Sequence, residues 1–479
     1  MATARWVDTA FPHRWNNLRH AIGERQLLEA EEAIERREFD QAIHLYRAGV
    51  ARSPHNASGR IGLAQLYVLY RRPDLAKVVL TDQITNFADN EAHLRTALQF
   101  LLEFHFDAEL ATACEKLLAQ PTLAGRPLVA LFAATVAYHR GNYDHAETLL
   151  FANGLDHSTE GALLQARMDL ERDFPELALL RLEDLIRRDA ATDDAYILIG
   201  QIRRRLGQIR AVALNATLRL TSNPLSHAPR IDFLYLYHEQ KQSSELAQEV
   251  ESYFNHFSNN PNALLALGDF AANTGRPQLV QRIEKIFTAN AWSLEAPALM
   301  AAEATIVAGE YAEGLSLVRQ YTQRNPQWTT QFAPVFASLQ AVALFGMGRA
   351  DDARLHLDHL LTLSNLRADN LNAVATRLMA LGFAPHARTI LTRAVEIDRL
   401  NQNSLTTLVR LEAEGRHFDT LPKLVRQLME MRRPSRDVLN LVYRQFGSDL
   451  HLFHPEQTAI MVEVRDSIAR ATAAASVKR

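Results

Sequence analysis

Apolar residues recur along most of the chain at helical spacing, and the helical runs come in pairs with one shared cadence. A first run ends in a turn carrying Gly or a charged residue. An aromatic residue or Pro follows two positions on, and a small residue then opens the second run. Arg37-Glu38-Phe39-Asp40-Gln41-Ala42 shows this frame, as do Gly141-Asn142-Tyr143-Asp144-His145-Ala146 and Gly309-Glu310-Tyr311-Ala312-Glu313-Gly314. It returns at Gly207–Val212, Gly275–Val280, Gly348–Ala353 and Gly382–Ala387.

The last residue of each frame serves as a marker: Ala42, Ala76, Glu109, Ala146, Ala178, Val212, Ala247, Val280, Gly314, Ala353, Ala387 and Leu421. Their spacings are 34, 33, 37, 32, 34, 35, 33, 34, 39, 34 and 34. Unrelated helices do not hold a register eleven times, so the spacing predicts an all-α array of about twelve helix–turn–helix repeats. Four residues after the marker an apolar or small residue is usual, as in Tyr46, Leu80, Leu150, Leu182, Leu357 and Leu391. Twelve residues after it, Pro54, Pro121, Pro224 and Pro326 stop the second helix, since Pro cannot donate the helical hydrogen bond. The long intervals before Ala146 and Ala353 predict longer connections at Gln120–Pro127 and Asn325–Pro334.

These units resemble tetratricopeptide repeats. The first carries Ala30, Phe39, Ala42, Tyr46, Gly49 and Pro54 at the family's small, aromatic and Pro positions; the second carries Leu63, Ala64, Tyr67, Ala76 and Leu80. The sixth has Tyr196, Ile199, Gly200 and Pro224, and the ninth has Ala302, Tyr311, Gly314 and Pro326. Glu109 departs from the small residue expected in repeat three, and repeats seven and twelve fit loosely. The resemblance covers about residues 24–434. It implies a bacterial repeat protein folded as a right-handed superhelical solenoid, in which each unit borrows the next one's surface to bury its apolar face.

On this frame residues 1–23 form an N-terminal segment, 435–468 capping helices and 469–479 a frayed tail. Trp6, Phe11, Trp15 and Leu18 fit either a cap folded back on repeat one or a linker close to a membrane. Val438, Leu439, Leu441, Val442 and Phe446, then Leu452, Phe453, Ile460, Val464 and Ile468, fit final helices that cover the last repeat.

The resemblance also implies a function: the first helix of each pair lines a concave groove that binds a segment of a protein partner. Carried over position by position, the exposed groove members are Glu31, Gln65, Thr135, Tyr138, Arg167, Arg204, Glu303, Arg377 and Arg410. Leu131, Phe132, Phe233, Met300 and Phe345 are apolar groove candidates, although aromatics at helical spacing are more often core. The family's carboxylate clamp of Lys and Asn on three successive first helices is absent, so a chaperone C-terminus is not the expected ligand.

Composition narrows the classes of partner. The hydrophobic fraction of 47% is that of a folded chain, and a net charge of −3 argues against nucleic acid or an anionic membrane surface. Of 52 basic residues only six are Lys, a bias expected of GC-rich coding. The single cysteine, Cys114, forms no internal disulfide, and no Cys/His cluster or HExxH asks for a metal. No apolar stretch reaches the ~18 residues that span a bilayer, and Met1–His20 has no signal-peptide core. The chain is therefore expected to be cytoplasmic, with the periplasmic face of a membrane-anchored protein as the alternative.

Asp352, His356 and His359 share a helix face, but a solvated surface explains them, as a turn explains His451 and His454. Gly346-Met347-Gly348 follows a helix, not a strand, and is a turn rather than a phosphate loop. Arg203-Arg204-Arg205 ends a helix, where cations face the negative end of the dipole; a contact for an acidic partner is the sharper option. No catalytic constellation and no cofactor are expected. The competing expectations are a membrane-tethered bacterial assembly or export factor and, more remotely, a helical-repeat enzyme. Partner identity and oligomeric state are not legible.

Overall fold

The computed structural model describes residues 2–446 except 37, 55, 71, 87–89, 121–124, 189–191, 364–365, 400, 416, 418 and 434–435, together with Val462 and Arg465. Side chains are described from Asn17 on, except those of 85–86, 429–431, 436–437, 442 and 445–446, so Val442 and Phe446 lie outside them. Every described regular element is a helix, and the helices alternate as first and second members of pairs. The chain forms two compact units, Met1–Arg172 with Met431–Arg433, and Asp173–Glu430 with Pro434–Arg479.

The first unit pairs α1 (Ala2–Glu35) with α2 (Phe39–Arg52), and α3 (Ala57–Leu69) with α4 (Pro73–Asn86). It continues with α5 (Glu91–Glu103) and α6 (Asp107–Leu118), α7 (Arg126–His139) and α8 (Tyr143–Ala152), and ends with α9 (Thr159–Glu171). Its core runs from Leu27 and Ala42 through Leu80, Leu98 and Leu110 to Phe132. α1 runs unbroken through residues 23 and 24, and Gly23 there lets the backbone of Ser53 approach: a Cβ would meet Ser53 N at 2.9 Å.

The second unit opens with α10 (Pro175–Arg188), followed by α11 (Asp193–Arg205) with α12 (Ile209–Ser222) and α13 (Ala228–Glu239) with α14 (Ser243–Phe257). Next come α15 (Pro261–Asn273) with α16 (Pro277–Ala289), and α17 (Glu295–Val307) with α18 (Tyr311–Arg324). A short α19 (Pro326–Gln331) precedes α20 (Ala333–Gly346) and α21 (Ala350–Thr362). The last helices are α22 (Ala368–Ala380), α23 (Ala384–Ile397), α24 (Gln402–Glu414), α25 (Leu421–Met431) and α26 (Arg436–Phe446). One of this unit's cores joins Leu234, Tyr253, Phe254, Leu264, Phe270 and Ile283.

The turn geometry corrects the register of two repeats. In nine described pairs the residue two before the second helix takes positive φ: His105, Gly141, Asp173, Gly207, Lys241, Gly275, Gly309, Gly348 and Gly382. Each lies five residues before its marker only if the markers of repeats three and seven are Leu110 and Leu246, both buried. Ala247 is exposed, and Glu109 is half-buried and pairs with Lys77 at 2.8 Å. Glu109 is thus the neighbour of the packing position and replaces nothing. First-helix caps agree with the shift in repeat three. Asn56, Asn90, Ser158, Asn260 and Asn401 each accept a backbone N–H of the first turn and each lies twenty residues before its marker. Such a cap contributes about 1 kcal/mol.

At the long connection before Ala353 the chain inserts α19, whose Trp328 is buried beside Tyr321 and Phe332. The other long connection includes 121–124, outside the described residues. At the end, α26 buries Val438 and Leu439 and packs on α24. The side chains of Trp6, Phe11 and Trp15 lie outside the described residues, as do Leu452, Phe453, Ile460, Val464, Ile468 and the segment 469–479. Leu18 is exposed.

Close approach between neighbouring repeats of the second unit is explicit at Gly346, where a Cβ would overlap the Tyr311 ring. Gly346→Ala is expected to lower stability by about 1–3 kcal/mol through overpacking, although Ala normally favours a helix. Lys241 is exposed and held at φ 56. Lys241→Gly should therefore raise stability, by about 1 kcal/mol at most, as strain relief outweighs the flexibility of Gly. Urea unfolding of the two variants tests both signs.

Candidate functional site

With the register corrected, one position stands out on the first helices. Eleven residues before the markers lie Glu31, Gln65, Gln99, Thr135, Arg167, Gln201, Tyr235, Asp269, Glu303, Val342, Thr376 and Arg410. All but Val342 are polar or aromatic and at least partly exposed, while the residues on either side include the buried Ala64, Leu66, Leu98, Ala134 and Ile202. The helical pitch therefore gives each first helix a polar stripe opposite its packing face. Gln99, Gln201, Tyr235, Asp269 and Thr376 escaped sequence reasoning. A register fixed on the cap asparagines Asn90 and Asn260 would have found Gln99 and Asp269.

In the first unit Glu31, Gln65 and Arg167 are exposed. Thr135 is half-buried, and its hydroxyl donates to the Leu131 carbonyl of its own helix at 2.8 Å. Tyr138 is also half-buried, its ring 5.9 Å from that of Tyr143. Burial, with Glu171 adding to it, pushes its phenol up to about 12.

In the second unit Arg410 is exposed, and Arg204 pairs with Glu239 at 3.6 Å. Arg203 donates to Glu183 at 2.7 Å, so these members of the arginine run face carboxylates of their own chain. Glu303 and Arg377 are paired with each other, from α17 to α22, and both are half-buried rather than exposed. Between these two helices in sequence lies α20, whose Val342 and Phe345 are buried. Phe345 packs against the tilted rings of Phe383 at 4.4 Å and His386 at 4.9 Å. Phe132 and Phe233 are likewise core, and Leu131 and Met300 pack against core clusters, which removes the apolar candidates from the open face.

Repeats seven and eight hold a connected polar group. Asn273 donates to Asp269 at 3.2 Å and to the Tyr235 hydroxyl at 3.4 Å. The Tyr235 ring stands edge-on to the buried Phe270 at 4.9 Å.

The nucleophiles and ligand-type residues are otherwise engaged. Ser53 has no exposed surface; its hydroxyl donates to Glu24 at 2.5 Å and lies 3.2 Å from His20, tying α1 to the end of α2. Cys114 is buried, which pushes its thiol up to about 12. Asp352 accepts from Arg349 at 2.6 Å, and burial, with His359 beside it, lowers the pKa of His356. Gly348 takes φ +75 in the turn before α21. Among the described residues no group of three or more His, Cys, Asp or Glu is placed to hold a metal. His451 and His454 lie outside them.

A double-mutant cycle with Glu303→Gln and Arg377→Gln checks the cross-repeat pair. Both groups are mostly shielded, and a coupling of about 1–2 kcal/mol is expected, above that of exposed pairs. Strictly additive losses in urea unfolding would show that the two side chains do not act together.

Residues 33–99 match the family model described as tetratricopeptide repeat. A comparison with curated protein sequences gave no match. Among solved structures the chain is similar to a tetratricopeptide repeat protein from Parabacteroides merdae, at 17% identity over 50% of this chain and 93% of that one, with a TM-score of 0.31. It is also similar to the APC/C hetero-tetramer Cut9–Hcn1 (12% identity, 94% of each chain, TM-score 0.27). Naa15/Naa10 bound to HypK-THB is a third (11% identity, 96% of each chain, TM-score 0.29). The matched segment spans the markers Ala42 and Ala76, so residues 33–99 are similar to tetratricopeptide repeats, and buried markers at similar spacing recur among the described residues to Leu421.

Proposed function

We propose that this protein is an interaction scaffold, and that the polar stripe of its first helices receives a segment of a partner protein. One observation carries this. Eleven repeats keep a polar or aromatic residue outward at one register position, where nothing in the packing of a helix pair requires it. The residues differ from repeat to repeat (Glu31, Gln65, Arg167, Tyr235, Asp269), as a surface read along an extended or helical segment would demand. Repeat arrays suit this task because each added unit lengthens the surface without a new core. Among the described residues no helix is long and apolar enough to cross a membrane, and no observation favours tethering or catalysis over binding.

Photo-crosslinking by position tests the proposal. A benzophenone side chain replacing Gln65, Gln201 or Asp269 is expected to capture a partner under native conditions. The same group at Thr148 or Thr389, exposed on second helices, should capture it at least tenfold less, roughly the contrast between a contact and a rim position. Equal capture from both sets, or capture from the second helices alone, would remove the first-helix stripe as the binding face.

A further inference from the structure

We propose that Arg276, at the turn of repeat eight, is the point at which the stripe recognises an acidic side chain of the bound segment. This deepens the scaffold proposal and rests on it. The observation is a cation without a counter-charge. Arg276 is half-buried, and the one polar contact its guanidinium makes among the described residues is donation to Nδ1 of His238 at 3.3 Å. Its Nε is buried and has no acceptor.

Other shielded arginines of the same unit each have a carboxylate, including Arg230, whose Nε likewise lacks an acceptor. Arg219 is held by Asp193 and Asp232, Arg230 by Glu249, Arg203 by Glu183 and Arg377 by Glu303. A charge withdrawn from water without a partner is costly, and natural proteins rarely leave one so. Burial accordingly pulls the Arg276 pKa below its ordinary value.

The backbone holds this cation in place. Arg276 lies between Gly275, at φ +65, and Pro277, the first residue of α16, and its N–H donates to the Ala271 carbonyl at 2.9 Å. A Cβ on Gly275 would meet the backbone N of Ala308 at 2.9 Å, so the turn is pressed against the end of α17. The site is therefore set before any partner arrives. Asp269, the acidic member of the stripe in this repeat, accepts from Asn273 and makes no ion pair with Arg276. A guanidinium presents paired N–H donors that fit a carboxylate in bidentate fashion, and the half-buried Tyr235, one helical turn before the His238 that Arg276 contacts, offers an aromatic side chain to a neighbouring residue. A segment bearing Asp or Glu beside an apolar residue satisfies both.

The test is selection of random displayed dodecapeptides on the full-length protein, followed by affinity measurements with the peptides recovered. Enrichment in Asp or Glu is expected. Arg276→Gln should weaken a recovered peptide about tenfold, Arg276→Glu further, and Arg276→Lys least. Replacing the peptide's acid by its amide should cause the same loss. Arg210→Gln, an exposed charge on α12, should change nothing, and urea midpoints close to the parent's would establish that the variants fold. Acidic peptides indifferent to Arg276→Gln would overturn the assignment, as would recovery of no peptide. Peptides without acids that Tyr235→Ala releases would overturn it too, while leaving the first-helix stripe standing. A phosphoserine peptide that binds Arg276 more tightly than the carboxylate would reassign the site to phosphate.

Discussion

The structure depends on one recurring contact: the marker side chain of the second helix, at one fixed register position, is buried against its neighbours in repeat after repeat. Ala42, Ala76, Leu110, Ala146, Ala178, Leu246, Val280, Ala353 and Ala387 are all buried there. The contact limits how far apart the two helices can sit, and the turn must deliver the second helix at that distance. This explains why the left-handed turn residue keeps its place five residues earlier even where it is His105, Asp173 or Lys241. Conformations of that kind cost about 1–2 kcal/mol for a side-chain-bearing residue. At Leu110 and Leu246, after His105 and Lys241, burying a Leu returns an amount of the same order or more. Packing therefore sets the turn, and the turn tolerates an unsuitable residue.

The same logic separates what was legible in the sequence from what was not. The period was legible because small residues, Gly turns and terminal Pro each mark it independently. The registers of repeats three and seven were not, because a one-residue slip leaves an acceptable residue in the frame. Ala247 looks like a marker by size, and only its exposure beside the buried Leu246 shows otherwise. The stripe inherited that uncertainty in those two repeats: without the register, Gln99 and Tyr235 could not be aligned with Glu31 and Gln65. Nor could the Glu303–Arg377 pair be foreseen, since nothing local links residues 74 apart.

The excess of arginine over lysine has a structural use that composition conceals. Arg60 reaches Asp82, Arg172 grips Glu147 and Asp144, Arg219 bridges Asp193 and Asp232, and Arg388 takes the buried Glu412 at 2.5 Å. Each joins residues of different helices, and several use two nitrogens on one carboxylate. Lys presents a single point charge and cannot do this. Whatever the coding bias, the planar fork helps join neighbouring units at their polar margins, where apolar packing gives out.

These two devices, apolar layers and arginine bridges, also decide where a binding surface can exist. Both consume side chains, and the stripe is what they leave over. In repeats nine to eleven little is left. The inserted α19 stretches the interval to 39 residues, the stripe position of repeat ten becomes the buried Val342, and Glu303 and Arg377 neutralise each other. In repeats seven and eight the opposite holds: Tyr235, Asp269 and Asn273 remain at the surface, and Arg276 makes no ion pair among the described residues. Recognition by such an array is therefore local. It falls where the inter-repeat bonding is incomplete, because only there does a partner gain by completing it.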